Sequence, residues 1–237
     1  MTEFVADVII VGAGPCGLFV GCELAQAGVK VLILEKRSGP TLPRAGNLQP
    51  RVLKIFDCRG LAEGVEARAR ELHSKPRASI GIWAGFPGVR YDVLETRFPY
   101  MLFLAQIETK NILAERFLQL GGEIRLQHEV TTLTQDHCGV HIDCIGPDGS
   151  HQTLGSRYAV GAHGARSTVR DAVGIACLCA NQMNHSYTSR LGPIPLDHFD
   201  NDTDPSIMVN KGPGSVYAKV MKRIEQSNRG RKEPQPK

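Results

Sequence analysis

The sequence predicts an α/β fold in which a strand–turn–helix–strand unit opens the chain and a strand meander follows later. Three observations predict it. Val8-Ile9-Ile10-Val11 is a β-branched run of the kind that forms a buried strand. It leads directly into Gly12-Ala13-Gly14-Pro15-Cys16-Gly17, after which residues 18–27 read as a helix stopped by Gly28. From Glu123 through Val160, short strand-like runs alternate with turn residues.

The elements follow in order. Residues 29–34 read as a second strand ending in Glu35, and residues 39–47 as a Pro/Gly loop carrying Arg44. Residues 50–56 predict a short helix with Pro50 in its first turn and Gly60 beyond its end. Residues 79–83 and 89–94 predict strands around a turn at 85–88. A helix is expected over 106–120, with Leu113, Phe117 and Leu120 on one face and Gly121-Gly122 as its stop. Turns at 135–139 and 147–149 divide the meander. The segment from Gly161 to Arg170 reads as a turn into a helix, with Thr168 and Asp171 at capping-box spacing and Gly174 as the stop. Two strand pieces are expected within 207–220. The tail from 223 to 237 lacks the apolar residues to fold.

Composition excludes several classes. Of 237 residues, 42% are hydrophobic and 22% charged, too apolar for a disordered chain and long enough to bury a core. The segment 222–237 holds six basic and two acidic residues, which accounts for the whole net charge of +4 and leaves a neutral body. A neutral body with a basic tail is not the footprint of a nucleic-acid binder. The apolar run of residues 8–22 is too short for a membrane span and is broken by Gly and Pro. The seven cysteines are odd in number and irregularly spaced, as expected of a reducing, cytoplasmic setting. His137, Cys138, His141 and Cys144 are rich in metal-ligand chemistry, but strand alternation places His141 opposite Cys138 and Cys144. No metal is expected. Cys177-Leu178-Cys179 lacks redox spacing, and no nucleophile elbow is present.

The glycine turn carries chemistry. Gly12 permits a tight turn, Gly14 lets a pyrophosphate approach the backbone, and Gly17, with Gly21 behind it, lets helix and strand pack closely. The helix start offers N–H groups and a positive dipole end to phosphate. Glu35, 18 residues after Gly17, stands near the spacing of the acid that holds adenosine ribose hydroxyls. This fingerprint alone does not separate FAD from NAD.

The order of features is more specific than any one of them. It runs from the glycine turn through Arg44, Phe98-Pro99-Tyr100 and Gln106, then Gly121-Gly122 and the meander, to Gly161-Ala162-His163-Gly164-Ala165-Arg166-Ser167-Thr168-Val169-Arg170. Over residues 5–175 this resembles the class A flavoprotein monooxygenases, the para-hydroxybenzoate hydroxylase-like enzymes, and among them the aromatic polyketide hydroxylases. The resemblance implies a Rossmann-like, glutathione-reductase-like FAD-binding domain with a β-meander over 1–175. Residues 78–98 would supply strands to a substrate domain. An incomplete α+β substrate domain would span 176–222.

It also implies cofactor-binding roles for Gly12, Ala13, Gly14, Pro15, Gly17, Glu35, Lys36, Arg44, Gln106, Val130 and His163. Arg44 would lie near the FAD pyrophosphate, Gln106 would start a helix against FAD, and Val130 would offer backbone to the adenine. His163 stands at the family's G-x-D-G aspartate. An imidazole can hydrogen-bond a ribose hydroxyl but supplies no fixed negative charge.

The implied activity is hydroxylation of a small aromatic substrate, in which NADPH or NADH reduces FAD and O₂ then supplies the transferred hydroxyl. The family's later Gly-Asp motif, followed by Ala-Ala-His, has no match here. That implies an incomplete chain which binds FAD weakly and turns nothing over alone, and it leaves no catalytic side chain to name. Two other functions compete. One is a non-catalytic FAD- or nucleotide-binding relic. The other is an NAD-dependent dehydrogenase, which requires further βαβ units after Glu35 where the sequence instead predicts a loop and a meander.

Overall fold

The computed structural model describes residues 4–39, 45–83, 86–164 and 167–175. In chain order the elements are β1 (Phe4–Val11), α1 (Pro15–Gln26), β2 (Val31–Glu35), β3 (Asn47–Leu48), α2 (Pro50–Asp57), α3 (Ala62–Leu72), β4 (Arg77–Ala78), β5 (Ile80–Trp83) and β6 (Phe86–Arg90). They continue with β7 (Met101–Phe103), α4 (Gln106–Gln119), β8 (Glu123–Leu126), β9 (Glu129–Gln135), β10 (Val140–Ile145), β11 (His151–Gly161) and α5 (Thr168–Ala172). The chain divides into two compact units, one holding described residues 4–39, 106–164 and 167–175, the other 45–83 and 86–105.

The first unit is built on a six-stranded sheet in the order β8-β2-β1-β11-β10-β9. The β8, β2, β1 and β11 pairings are parallel, while β10 joins β11 and β9 antiparallel. Parallel central strands are covered on both faces, so they read as continuous apolar runs rather than alternating ones. That is why Ile9, Ile10, Leu32, Ile33 and Leu34 are all essentially inaccessible. One face of the sheet packs Ile9, Val11, Leu32 and Leu34 with the meander residues Val130, Ile142 and Leu154. On the other face, α1 lies close because Gly21 has no Cβ; one placed there would stand 3.0 Å from both Ile33 and the Phe117 ring of α4.

Strand β11 belongs to both halves of this sheet. Its first residues, from His151 to Ser156, pair with β10, and Gly155 to Gly161 pair with β1. It therefore delivers Ala162 and His163 to the end of β1, where the Ala162 N–H donates to the Val11 carbonyl at 2.8 Å.

The second unit contains a three-stranded sheet, β3-β7-β4, and the β5–β6 hairpin. Leu53 of α2, Val65 and Ala69 of α3, and Leu102 of β7 are fully buried. Glu66 of α3 accepts from Arg70 at 3.1 Å, from Arg77 at 2.6 Å and from the Tyr100 hydroxyl. The Arg77 guanidinium lies 4.4 Å over the Tyr100 ring. Burial alone would raise the Glu66 carboxyl, but the bonds from Tyr100 and Arg77 outweigh it and hold it below the usual carboxylate range. The Tyr100 phenol is pushed up to about 12 by burial and by its bond to Glu66.

Several expectations need correction. Helix α3 was not anticipated. The second hairpin strand runs over Phe86–Arg90 rather than 89–94, and residues 91–94 form a turn in which the Leu94 N–H donates to the Tyr91 carbonyl. The cap of α5 is Ser167, whose side chain accepts from the Arg170 N–H, so Thr168 is already inside the helix. Cys138 sits in the turn before β10, where strand alternation does not govern it. The strand pieces expected within 207–220, the tail, and the Arg44 loop position lie outside the described residues. No helix among the described residues is long and apolar enough to cross a membrane.

Candidate functional site

The glycine turn lies between two parallel neighbours of β1. Its Val11 end is in register with Leu34 on β2 and with Gly161 on β11. The Gly12 N–H donates to the Leu34 carbonyl at 2.8 Å. Gly12 has φ +111°, a backbone that side-chain-bearing residues rarely adopt, and a Cβ there would stand 2.7 Å from the Cα of His163. At Gly17 a Cβ would meet the Gly12 carbonyl oxygen at 2.1 Å. Both glycines are therefore demanded by the fold itself.

Gly14 differs from them. Its φ is −74°, and the only heavy atom near a notional Cβ is the Ala162 oxygen at 3.8 Å. Nothing in the packing excludes a side chain there. Gly14 is the N-cap of α1 and makes no side-chain cap bond; Pro15 follows at the first helical position. The first turn of α1 thus presents backbone N–H groups and the positive end of the helix with no acidic side chain in it. Cys16 is exposed at the same place.

Glu35 closes one side. Its Oε2 accepts the Ala13 N–H at 3.0 Å and its Oε1 accepts the Arg37 N–H at 3.1 Å. The side chain is only 12% exposed, so the carboxylate is held against the turn rather than waving in solvent. Two anchoring bonds leave lone pairs for hydroxyl donors.

Beyond Glu35 a cleft of about 540 Å³ is lined by Lys36, Arg37, Gln127, Glu129 and Pro147, among others. Gln127 has φ +57°, a strained choice for a non-glycine residue and one concentrated at binding sites. Lys36 Nζ lies 3.5 Å from Glu129. Val130, next along β9, is buried in the core beside this cleft.

His163 closes the other side. Its Nε2 accepts the Thr168 N–H at 2.5 Å, which fixes the neutral tautomer with hydrogen on Nδ1. That Nδ1 is buried without a hydrogen-bond partner. Burial holds the imidazole below its ordinary range; the Val11 carbonyl opposes this from outside hydrogen-bond geometry. His163 thus ties the start of α5 to the wall of the turn.

Gly12, Ala13, Gly14, Pro15, Glu35, Lys36 and His163 gather around one end of the sheet, while Gly17 packs beneath the turn. Gln106 is the first residue of α4, the helix that packs on α1. Arg37, Gln127 and the Gly146-Pro147 corner were not singled out from sequence. Arg37 adjoins Glu35 and Lys36 and was within reach of that reasoning, whereas a positive φ at a glutamine leaves no sequence signal.

A parallel sheet, a glycine turn at a helix start and an acid at the end of the next strand define a dinucleotide-binding domain. The FAD binding domain family matches residues 5–209, and the chain belongs to it. It is 41% identical over 170 residues to the 12-dehydrotetracycline 5-monooxygenase/anhydrotetracycline 6-monooxygenase of Streptomyces rimosus subsp. rimosus, covering 71% of this chain and 33% of that protein. The structure of an anhydrotetracycline hydroxylase from Streptomyces rimosus superposes with a TM-score of 0.66 at 40% identity, covering 71% of this chain and 34% of that one. A ternary complex of aklavinone-11 hydroxylase with FAD and aklavinone superposes with a TM-score of 0.59 at 28% identity, covering 73% and 36%. The chain spans about one third of the length of these relatives.

Proposed function

We propose that this chain forms the adenosine-diphosphate end of a flavin site in an NAD(P)H- and O₂-dependent monooxygenase acting on a small aromatic, polyketide-type substrate. The observation that carries the cofactor reading is Gly14. A Cβ there would meet only the Ala162 oxygen, at an ordinary 3.8 Å, at the first turn of α1 and next to a carboxylate already anchored on Ala13. The fold has no packing use for a glycine there, whereas a pyrophosphate lying on the backbone does.

The first-turn N–H groups of α1 would hold the pyrophosphate, with Arg44 proposed as its cation. Glu35 accepts the ribose hydroxyls. Lys36 and Val130 belong to the adenine side, Gln106 to the helix start against the cofactor, and the His163 imidazole to the opposite wall. FAD bound there would supply the redox chemistry of the reaction. These residues bind, orient and fix the adenosine end so that the reactive ring is held in one place. The substrate class rests on relatives named for tetracycline-type compounds and on one solved with aklavinone. The antiparallel β9–β10–β11 meander disfavours a nicotinamide dehydrogenase, which would continue with βαβ units.

Flavin titration with competitors tests this reading. FAD is expected to bind, and ADP to compete with it, while FMN, which lacks the adenosine half, competes poorly. Competition by FMN with none by ADP would overturn the assignment.

A further inference from the structure

The turn joining β9 to β10 gathers donors that the flavin site does not use. Asp136, His137 and Cys138 are consecutive and exposed, and one carboxylate oxygen, one imidazole nitrogen and the thiol sulfur all lie within 4.8 Å of one another. The turn that carries them is tightly bonded. The Asp136 N–H donates to the Gly139 carbonyl at 3.0 Å, and Asp136 Oδ1 accepts the Cys138 and Gly139 N–H groups at 2.7 and 3.0 Å. Gly139 itself is wedged, since a Cβ there would meet the Ser156 oxygen at 2.4 Å.

His141 completes the group. On β10, Val140, Ile142 and Cys144 are buried, which leaves His141 on the opposite face. Its Nε2 lies 3.1 Å from Asp136 Oδ2. The bonds from the Cys138 and Gly139 N–H groups fix the Asp136 carboxylate in the turn.

We propose that this turn binds one borderline divalent transition cation of the Zn²⁺ type, with Asp136, His137 and Cys138 as ligands and His141 as the residue that orients the Asp136 carboxylate. Imidazole, thiolate and carboxylate together suit zinc, whereas magnesium and calcium take oxygen ligands. Ligand atoms around a tetrahedral zinc stand about 3.5 Å apart. The exposed His137 and Cys138 side chains close that remaining gap by rotation. On binding, Cys138 gives its proton to solvent and ligates as thiolate, His137 ligates as neutral imidazole, and water fills the fourth position. A hydrogen-bonded partner on a ligating carboxylate is the arrangement that fixes such ligands in place. The site lies at the far end of the β9–β10 hairpin from Glu129 and Ile145 of the cleft, so the two are separable by experiment.

The test is titration of the metal-free 237-residue chain with Co²⁺. One equivalent is expected to give a thiolate-to-cobalt charge-transfer band that Zn²⁺ abolishes by displacement. Cys138→Ser removes the band. His137→Ala and His141→Ala each weaken affinity by about 10- to 100-fold. Asp136→Asn, which keeps an oxygen acceptor for the turn, weakens it comparably. Far-ultraviolet circular dichroism and FAD titration are expected to be unchanged in Cys138→Ser, because its side chain is exposed and remote from the cleft. Absence of the band, or a band that survives Cys138→Ser, overturns the proposal.

Discussion

The Thr168 N–H donates to Nε2 of His163 at 2.5 Å, a bond that exists only while the imidazole is neutral. Protonating that nitrogen would set two donors against each other at the start of α5.

A pH dependence follows. Burial lowers the native His163 pKa; the Val11 carbonyl opposes it without cancelling it, and Lys36 and Arg170 add smaller lowering effects. As pH falls below the unfolded value of about 6.5, the unfolded chain takes up the proton first. It then binds more protons than the native state, so stability falls on acidification through that value toward the depressed native pKa and is fully present above it. Urea midpoints between pH 5 and 7.5 should therefore rise with pH more steeply in the wild type than in His163→Asn. His73, also lowered by burial, contributes the same sign in both proteins and cancels in the difference. A flat difference counts against the His163 assignment.

Gly12→Ala and Gly14→Ala should separate fold from ligand. The first places a Cβ 2.7 Å from backbone at φ +111° and is expected to cost about 3 kcal/mol of stability. The second meets nothing closer than 3.8 Å and should stay within about 1 kcal/mol of wild type, the scale of an N-cap change. Its FAD affinity should nevertheless drop at least tenfold. Thermal melts and flavin titrations on the same samples check both arms.

Glu35→Ala should weaken FAD binding by about 10- to 100-fold, the value of lost hydrogen bonds to a charged acceptor. The same variant should lose the difference between ADP and FMN as competitors. Equal affinity for FAD in the variant and the wild type would remove Glu35 from the site.

In the second unit, Glu66→Gln removes the charge that accepts from Tyr100, Arg77 and Arg70. Spectrophotometric titration should move one phenol from about 12 back toward its ordinary range. Denaturation should show a loss of about 2 kcal/mol.

The glycine turn, α1, β2, α4 and the meander were legible in the sequence because each carries local punctuation. Glycines with positive φ close α1, α2 and α4 at Gly28, Gly60 and Gly121. Helix α3 was missed because its buried residues are Ala62, Val65 and Ala69, which make a weak apolar stripe, and Gly64 interrupts it. Strand β6 contains Pro87, a residue that argues against strand, so the second arm of the hairpin was read too late. Ser167 is the better cap of the two and takes the position, accepting the Arg170 N–H, while the Thr168 N–H goes to His163. Strand alternation does not apply to Cys138, which lies in the turn between β9 and β10. The cleft behind Glu35 was invisible because it depends on Gln127, a backbone twist without a residue signature.

Strand β11 sets a condition on how the molecule is made. Val11 pairs with Gly161, so the second wall of the glycine turn arrives only after the whole meander has been synthesised. The β1–α1–β2 unit leaves the ribosome before β11, with one flank of β1 unpaired and its apolar face uncovered. Closing that flank is a long-range event, slow by the logic of loop entropy. Until β11 docks, the nascent chain holds an open sheet edge, and ligand binding at the turn can report in real time when that edge is sealed.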